Sequence, residues 1–64
     1  MEFKEKILIT RKQLLLSQAD FAQKLGVGIA TINRWEKGVC NPNYIMQRKF
    51  VEYCEKNDIR FDKE

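Results

Sequence analysis

Gln18-Ala19-Asp20-Phe21-Ala22-Gln23-Lys24-Leu25-Gly26-Val27-Gly28-Ile29-Ala30-Thr31-Ile32-Asn33-Arg34-Trp35-Glu36-Lys37-Gly38 is the stretch that decides how this chain folds. Phe21, Ala22 and Leu25 recur at helical spacing before Gly26, and Ile32 and Trp35 do so before Gly38. Two short helices follow, because each glycine stands where a left-handed residue ends a helix at little cost. Ser17 is a good N-cap for the first of them, Asp20 completes a capping-box-like pair, and Leu16 is placed to staple onto Phe21. Val27 and Ile32 occupy the positions of a second staple around Gly28, a weaker cap than a hydroxyl residue. Ala22 is small where the two helices must cross closely. With Ile32 and Trp35 turned inward, Ile29, Ala30, Asn33 and Arg34 face outward or sideways. This layout presents a side-chain surface of the kind that enters the DNA major groove.

The flanking sequence supplies the rest of a small all-α fold. Phe3, Ile7, Leu8 and Leu14 predict a first helix from about Phe3 to Leu14. Asn41-Pro42-Asn43 is a loop and helix start, with either asparagine able to cap. The fourth helix runs to about Lys56 or Asn57, carrying Met46, Phe50, Tyr53 and Cys54 on one face with Ile45 and Val51 beside it. Ile59-Arg60-Phe61 alternates apolar and polar residues and reads as a short extended tail. With 64 residues there is room for one domain, residues 1–64, which buries about 60% of its unfolded surface. Hydrophobic residues at 44% and charged residues at 33% place it among globular rather than disordered chains. The chain has no apolar run of membrane-spanning length and no signal-peptide pattern at its start, so a cytoplasmic protein is expected.

Charge is distributed unevenly. Between Arg11 and Lys49 seven basic residues face two acidic ones, a local balance of +5 within a chain of net charge +3. The positive charge coincides with the two-helix unit, which suits a polyanion, although a solvated surface has the same composition. Cys40 and Cys54 are the only cysteines and histidine is absent. Two thiols at this spacing make no metal or redox motif, so neither metal nor cofactor is expected. Cys54, on an apolar helical face, reads as a small core residue. Nothing suggests an enzyme: there is no nucleophile with a base and no phosphate-binding loop, since Gly26-Val27-Gly28 lacks a third glycine and a preceding strand.

Ala22, Gly26, Ile32 and Trp35, with Leu16-Ser17-Gln18-Ala19-Asp20-Phe21-Ala22 and Arg34-Trp35-Glu36-Lys37-Gly38, resemble the phage-repressor-like Cro/cI-type (XRE) helix-turn-helix family. The resemblance spans roughly Ile7 to Pro42. It implies a compact four-helix domain of the lambda-repressor-like type, with the helix-turn-helix core at 17–37 and a short C-terminal tail. It also implies that Gly28, Ile29, Ala30, Asn33 and Arg34 meet base edges or flanking phosphates, and that Gln18 binds a phosphate and orients the recognition helix. Thr31, Lys37 and Asn41 are further phosphate candidates. An Arg11–Glu36 ion pair would tie the first helix to the third, and Trp35 would pack rather than stack on bases. Three departures stand out. Leu15 replaces a frequent glycine, which predicts a longer or strained turn. Gly28 replaces a hydroxyl residue, and the chain shows no clear fifth helix, which alters the usual dimerisation region.

The expected function is sequence-specific binding of double-stranded DNA by a small transcriptional regulator, a repressor by preference. A homodimer is expected, since one recognition helix meets too few bases to specify a site. Tyr44, Ile45, Val51, Ile59 and Phe61 of the fourth helix and tail are either its interface or the lid of the core. The alternative is a DNA-targeting module of a larger DNA-modifying protein, or an antitoxin-like partner.

Overall fold

Side chains placed just ahead of the apolar stripes determine where three of the four helices begin, at Phe3, Gln18 and Tyr44. The computed structural model describes residues 1–61, so 62–64 of the span read as one domain lie outside the described residues. Four helices form: α1 Phe3–Gln13, α2 Gln18–Leu25, α3 Ile29–Lys37 and α4 Tyr44–Lys56. No strand occurs among the described residues; the tail at 59–61 is irregular. Glu2 and Glu5 form a reciprocal capping box on α1. Ser17 Oγ accepts from the Asp20 backbone N–H at 3.0 Å. Of the two asparagines before α4, Asn43 is the cap, its Oδ1 accepting from the Met46 N–H at 2.9 Å. Gly28 opens α3 without any side-chain cap.

All four helices close in the same way. In each, a left-handed residue follows the last turn and the next residue's N–H reaches back to a carbonyl five positions earlier. Gly26 and Gly38 take that conformation at φ 75° and 77°. A Cβ on Gly38 would also lie 2.9 Å from Lys4 Cδ. The other two left-handed residues are Leu15 at φ 57° and Asp58 at φ 58°. The α1–α2 turn is therefore not lengthened by the missing glycine; Leu15 itself adopts the strained conformation, with its side chain 91% exposed.

The closures aim the chain back at one core. Ile7, Phe21 and Ile32 are fully buried, and Ala22, Leu25, Trp35, Phe50, Cys54 and Ile59 complete the cluster. Each fully buried large side chain contributes about 1.5–3 kcal/mol. Phe3 meets Trp35 and Phe50 edge-on at 5.6 and 5.2 Å between centroids, which fixes the start of α1 against α3 and α4. Thr10 is buried with its Oγ1 3.7 Å from Cys54 Sγ. Burial pushes the Cys54 thiol above its ordinary range, and burial followed by the neighbouring Cys54 does the same to the Tyr53 hydroxyl.

Two of the five residues read as interface candidates belong to this core. Ile59 follows the Asp58 turn and is buried, while Phe61 stacks on Phe50 at 6.3 Å with Lys6 over its ring. Tyr44, Ile45 and Val51 remain exposed on α4.

Candidate nucleic-acid interface

Because α2 and α3 both pack their apolar stripes on the same core, the surface between their outer edges carries mostly polar and small residues, with Ile29 the exposed apolar exception. Successive helical residues are about 100° apart. With Ile32 and Trp35 inward, Ile29, Asn33 and Glu36 fall on the α3 flank that meets α2. Ala30 and Lys37 point away from the core. Gln18, Ile29, Ala30, Asn33 and Arg34 line one shallow, open depression. Gly28 is exposed at its edge, and a Cβ on it would meet nothing within 4 Å, so the backbone there is open to a close approach.

A hydrogen-bonded chain of side chains underlies this surface. Arg11 Nε donates to Glu36 Oε2 at 2.6 Å and Arg11 Nη2 to Oε1 at 3.2 Å. The third donor, Arg11 Nη1, reaches the Leu16 carbonyl at 3.0 Å, so the same guanidinium holds the α1–α2 turn and the end of α3. Gln18 Nε2 donates to Glu36 Oε1 at 3.0 Å, and Asn33 Nδ2 approaches Gln18 Oε1 at 3.5 Å. The ion pair is mostly withdrawn from water, with side-chain exposures of 19% for Arg11 and 9% for Glu36. Such a pair adds little net stability, but losing one partner strands the other charge. Since Arg11 neutralises Glu36, the exposed cations Arg34 and Lys37 determine the sign of the outer face of α3.

The residues read from sequence as a site do not all come together. Gln18, Ile29, Ala30, Asn33 and Arg34 share the depression. Thr31 is half-buried and stands about 200° around the helix from Asn33. Lys37 and Asn41 are exposed beyond the C-terminal end of the depression. The double engagement of Gln18 with Glu36 and Asn33 is a feature that sequence reasoning missed. The acceptor-only Glu36, one turn after Asn33, is its one visible signal. Among the described residues no group of His, Cys, Asp or Glu could hold a metal.

A family model described as helix-turn-helix matches residues 7–56, most of the chain. The chain belongs to the Cro/cI-type (XRE) helix-turn-helix family. As a member it is a DNA-binding transcription regulator of all-α, lambda-repressor-like fold. Comparisons with curated proteins and with solved structures return no match. No helix among the described residues is long and apolar enough to cross a membrane.

Proposed function

We propose that this helix-turn-helix regulator reads the major groove of double-stranded DNA with α3 and acts as a repressor. The observation that carries the reading is the open depression formed by Gln18, Ile29, Ala30, Asn33 and Arg34. Its chemistry is mixed in the way base readout requires. Asn33 can pair with adenine at two atoms, Arg34 with guanine or a phosphate, and Ile29 and Ala30 can touch thymine methyls. Gly28 lets the backbone come close. Gln18, Thr31, Lys37 and Asn41 hold phosphates and set the register. Gln18 keeps one Nε2 hydrogen for this, the other being directed at Glu36. Occupation of an operator then excludes other proteins without any chemistry by this chain.

The binding form is a homodimer whose two α3 helices read successive half-sites. The exposed Tyr44, Ile45 and Val51 on α4 are its contact surface. The test is anisotropy titration against a randomised duplex pool at several salt concentrations, with the bound fraction sequenced. A steep salt slope and an enriched palindrome are expected. Enrichment of a half-site alone would remove the dimer, and equal binding to all sequences would remove the readout. On the enriched duplex, Asn33→Ala should cost about 1–3 kcal/mol and relax preference at one base pair. Equal losses on specific and random DNA would show that Asn33 reads no base.

A further inference from the structure

We propose that Glu36, which touches no base, determines which end of the Asn33 amide donates and which accepts, acting through Gln18, and thereby selects the base that Asn33 prefers. This inference rests on the reading of α3 as the groove-facing helix. The two ends of a carboxamide have almost the same shape, so packing alone does not orient one; hydrogen-bond polarity does. Glu36 supplies that polarity because an ionised carboxylate only accepts.

The orientation passes along three side chains. Arg11 grips both Glu36 oxygens, at 2.6 and 3.2 Å, and holds the carboxylate in place. Gln18 must then turn its NH₂ toward Glu36 Oε1, 3.0 Å away, since the flipped amide would set oxygen against oxygen. Gln18 Oε1 consequently faces Asn33, and only the donor end of Asn33 can face it in return. Their separation, 3.5 Å, is at the long limit for a hydrogen bond, so the interaction acts through polarity more than through strength. Asn33 is left with Oδ1 and one Nδ2 hydrogen in a fixed order. That order complements the N6 donor and N7 acceptor of adenine and cannot satisfy the two acceptors of guanine. Glu36 is thus a positioning residue for specificity.

Glu36→Gln keeps the shape but gives position 36 both a donor and an acceptor, so either orientation of Gln18 and Asn33 is accommodated. Gln18→Met leaves the Arg11–Glu36 pair intact and removes the link to Asn33, which covers the case in which Glu36→Gln fails to fold. Affinities are measured on the enriched duplex and on its single-base-pair variants. Asn33→Ala identifies the base pair that Asn33 reads. Glu36→Gln and Gln18→Met should each reduce discrimination at that base pair by about fivefold or more. Ratios at the other base pairs should hold within about twofold, and neither variant should lower discrimination further in the Asn33→Ala background. Discrimination retained at that pair, or lost evenly at every pair, would overturn the role of Glu36 while leaving the α3 reading in place. If Asn33→Ala flattens no base pair, Asn33 reads no base and the consequence drawn for Glu36 fails with it; the α3 reading itself fails only if the wild-type protein enriches no sequence.

Discussion

Leu15 is the position where the backbone disagrees most clearly with its residue type, and Leu15→Gly measures that disagreement. A left-handed conformation costs a residue with a Cβ about 1–2 kcal/mol, and Leu15 adopts it at φ 57°. Glycine removes this cost but gains freedom in the unfolded chain, which takes back about 0.4–1 kcal/mol. The lost side chain matters little. It is 91% exposed, and a tenth of the burial value of a leucine is about 0.2 kcal/mol. The balance is a stabilisation of about 0.5 kcal/mol, or roughly 2–4 °C in Tm for a domain of this size. The α1–α2 turn should otherwise persist, because the Leu16 N–H bond to the Arg11 carbonyl and the Arg11 bond to the Leu16 carbonyl do not involve the Leu15 side chain.

Thermal and urea unfolding of wild type, Leu15→Gly and Leu15→Ala make the test. Leu15→Ala retains the positive φ and should stay close to wild type, so the difference between the two variants isolates the backbone. A Leu15→Gly protein that is less stable than Leu15→Ala by about 1 kcal/mol, the amount glycine costs inside a helix, would refute the left-handed turn.

Four further outcomes are expected. Ala22 is 3% exposed among the α2 core residues, so Ala22→Leu should overpack it and lower stability by about 1–3 kcal/mol; an unchanged unfolding curve would count against the close approach. Gly28 has an ordinary extended φ and open space around it, so Gly28→Ser should add a cap to α3 worth a few tenths of a kcal/mol; a loss of stability would mean that the glycine is sterically required. Cys40 is exposed while Cys54 is buried with its thiol pushed up, so an alkylating reagent followed by mass spectrometry should add one adduct fast and the second only on unfolding. The raised Cys54 value also carries a sign. Above the ordinary thiol range the unfolded chain loses a proton that the folded chain keeps, so stability should fall as pH rises through that window. Two adducts forming at equal rates in the native protein would exclude this burial.

The helices were legible where residue type and backbone requirement coincide. Ser17 caps, Gly26 and Gly38 stop, and the stripe of Phe21, Ala22, Leu25, Ile32 and Trp35 turns inward as its spacing predicts. The α1–α2 and α4–tail turns were harder to read, because Leu15 and Asp58 adopt a conformation their side chains do not advertise. For the tail this had a cost. Read as a short extended tail, Ile59 and Phe61 stood equally as an interface or as the lid of the core. Once Asp58 turns left-handed, Ile59 becomes the buried residue that such a helix end brings back onto the core, its N–H bonded to the Cys54 carbonyl.

The site divides along a similar line. Which residues of α3 face outward follows from period alone, since inward Ile32 and Trp35 leave no other place for Ala30 or Lys37. The state of Gln18 does not follow from period. Sequence places it at the start of α2, where the family resemblance implies a phosphate contact, whereas the fold brings it within 3.0 Å of Glu36, eighteen residues later. That contact depends on the packing of α2 against α3 and on Arg11, which arrives from a third helix. A side chain with both a donor and an acceptor has no inherent direction; its direction belongs to whichever neighbour can only accept. Local sequence names such groups but does not pair them, so the surface offered to DNA could be named residue by residue before its polarity could be derived.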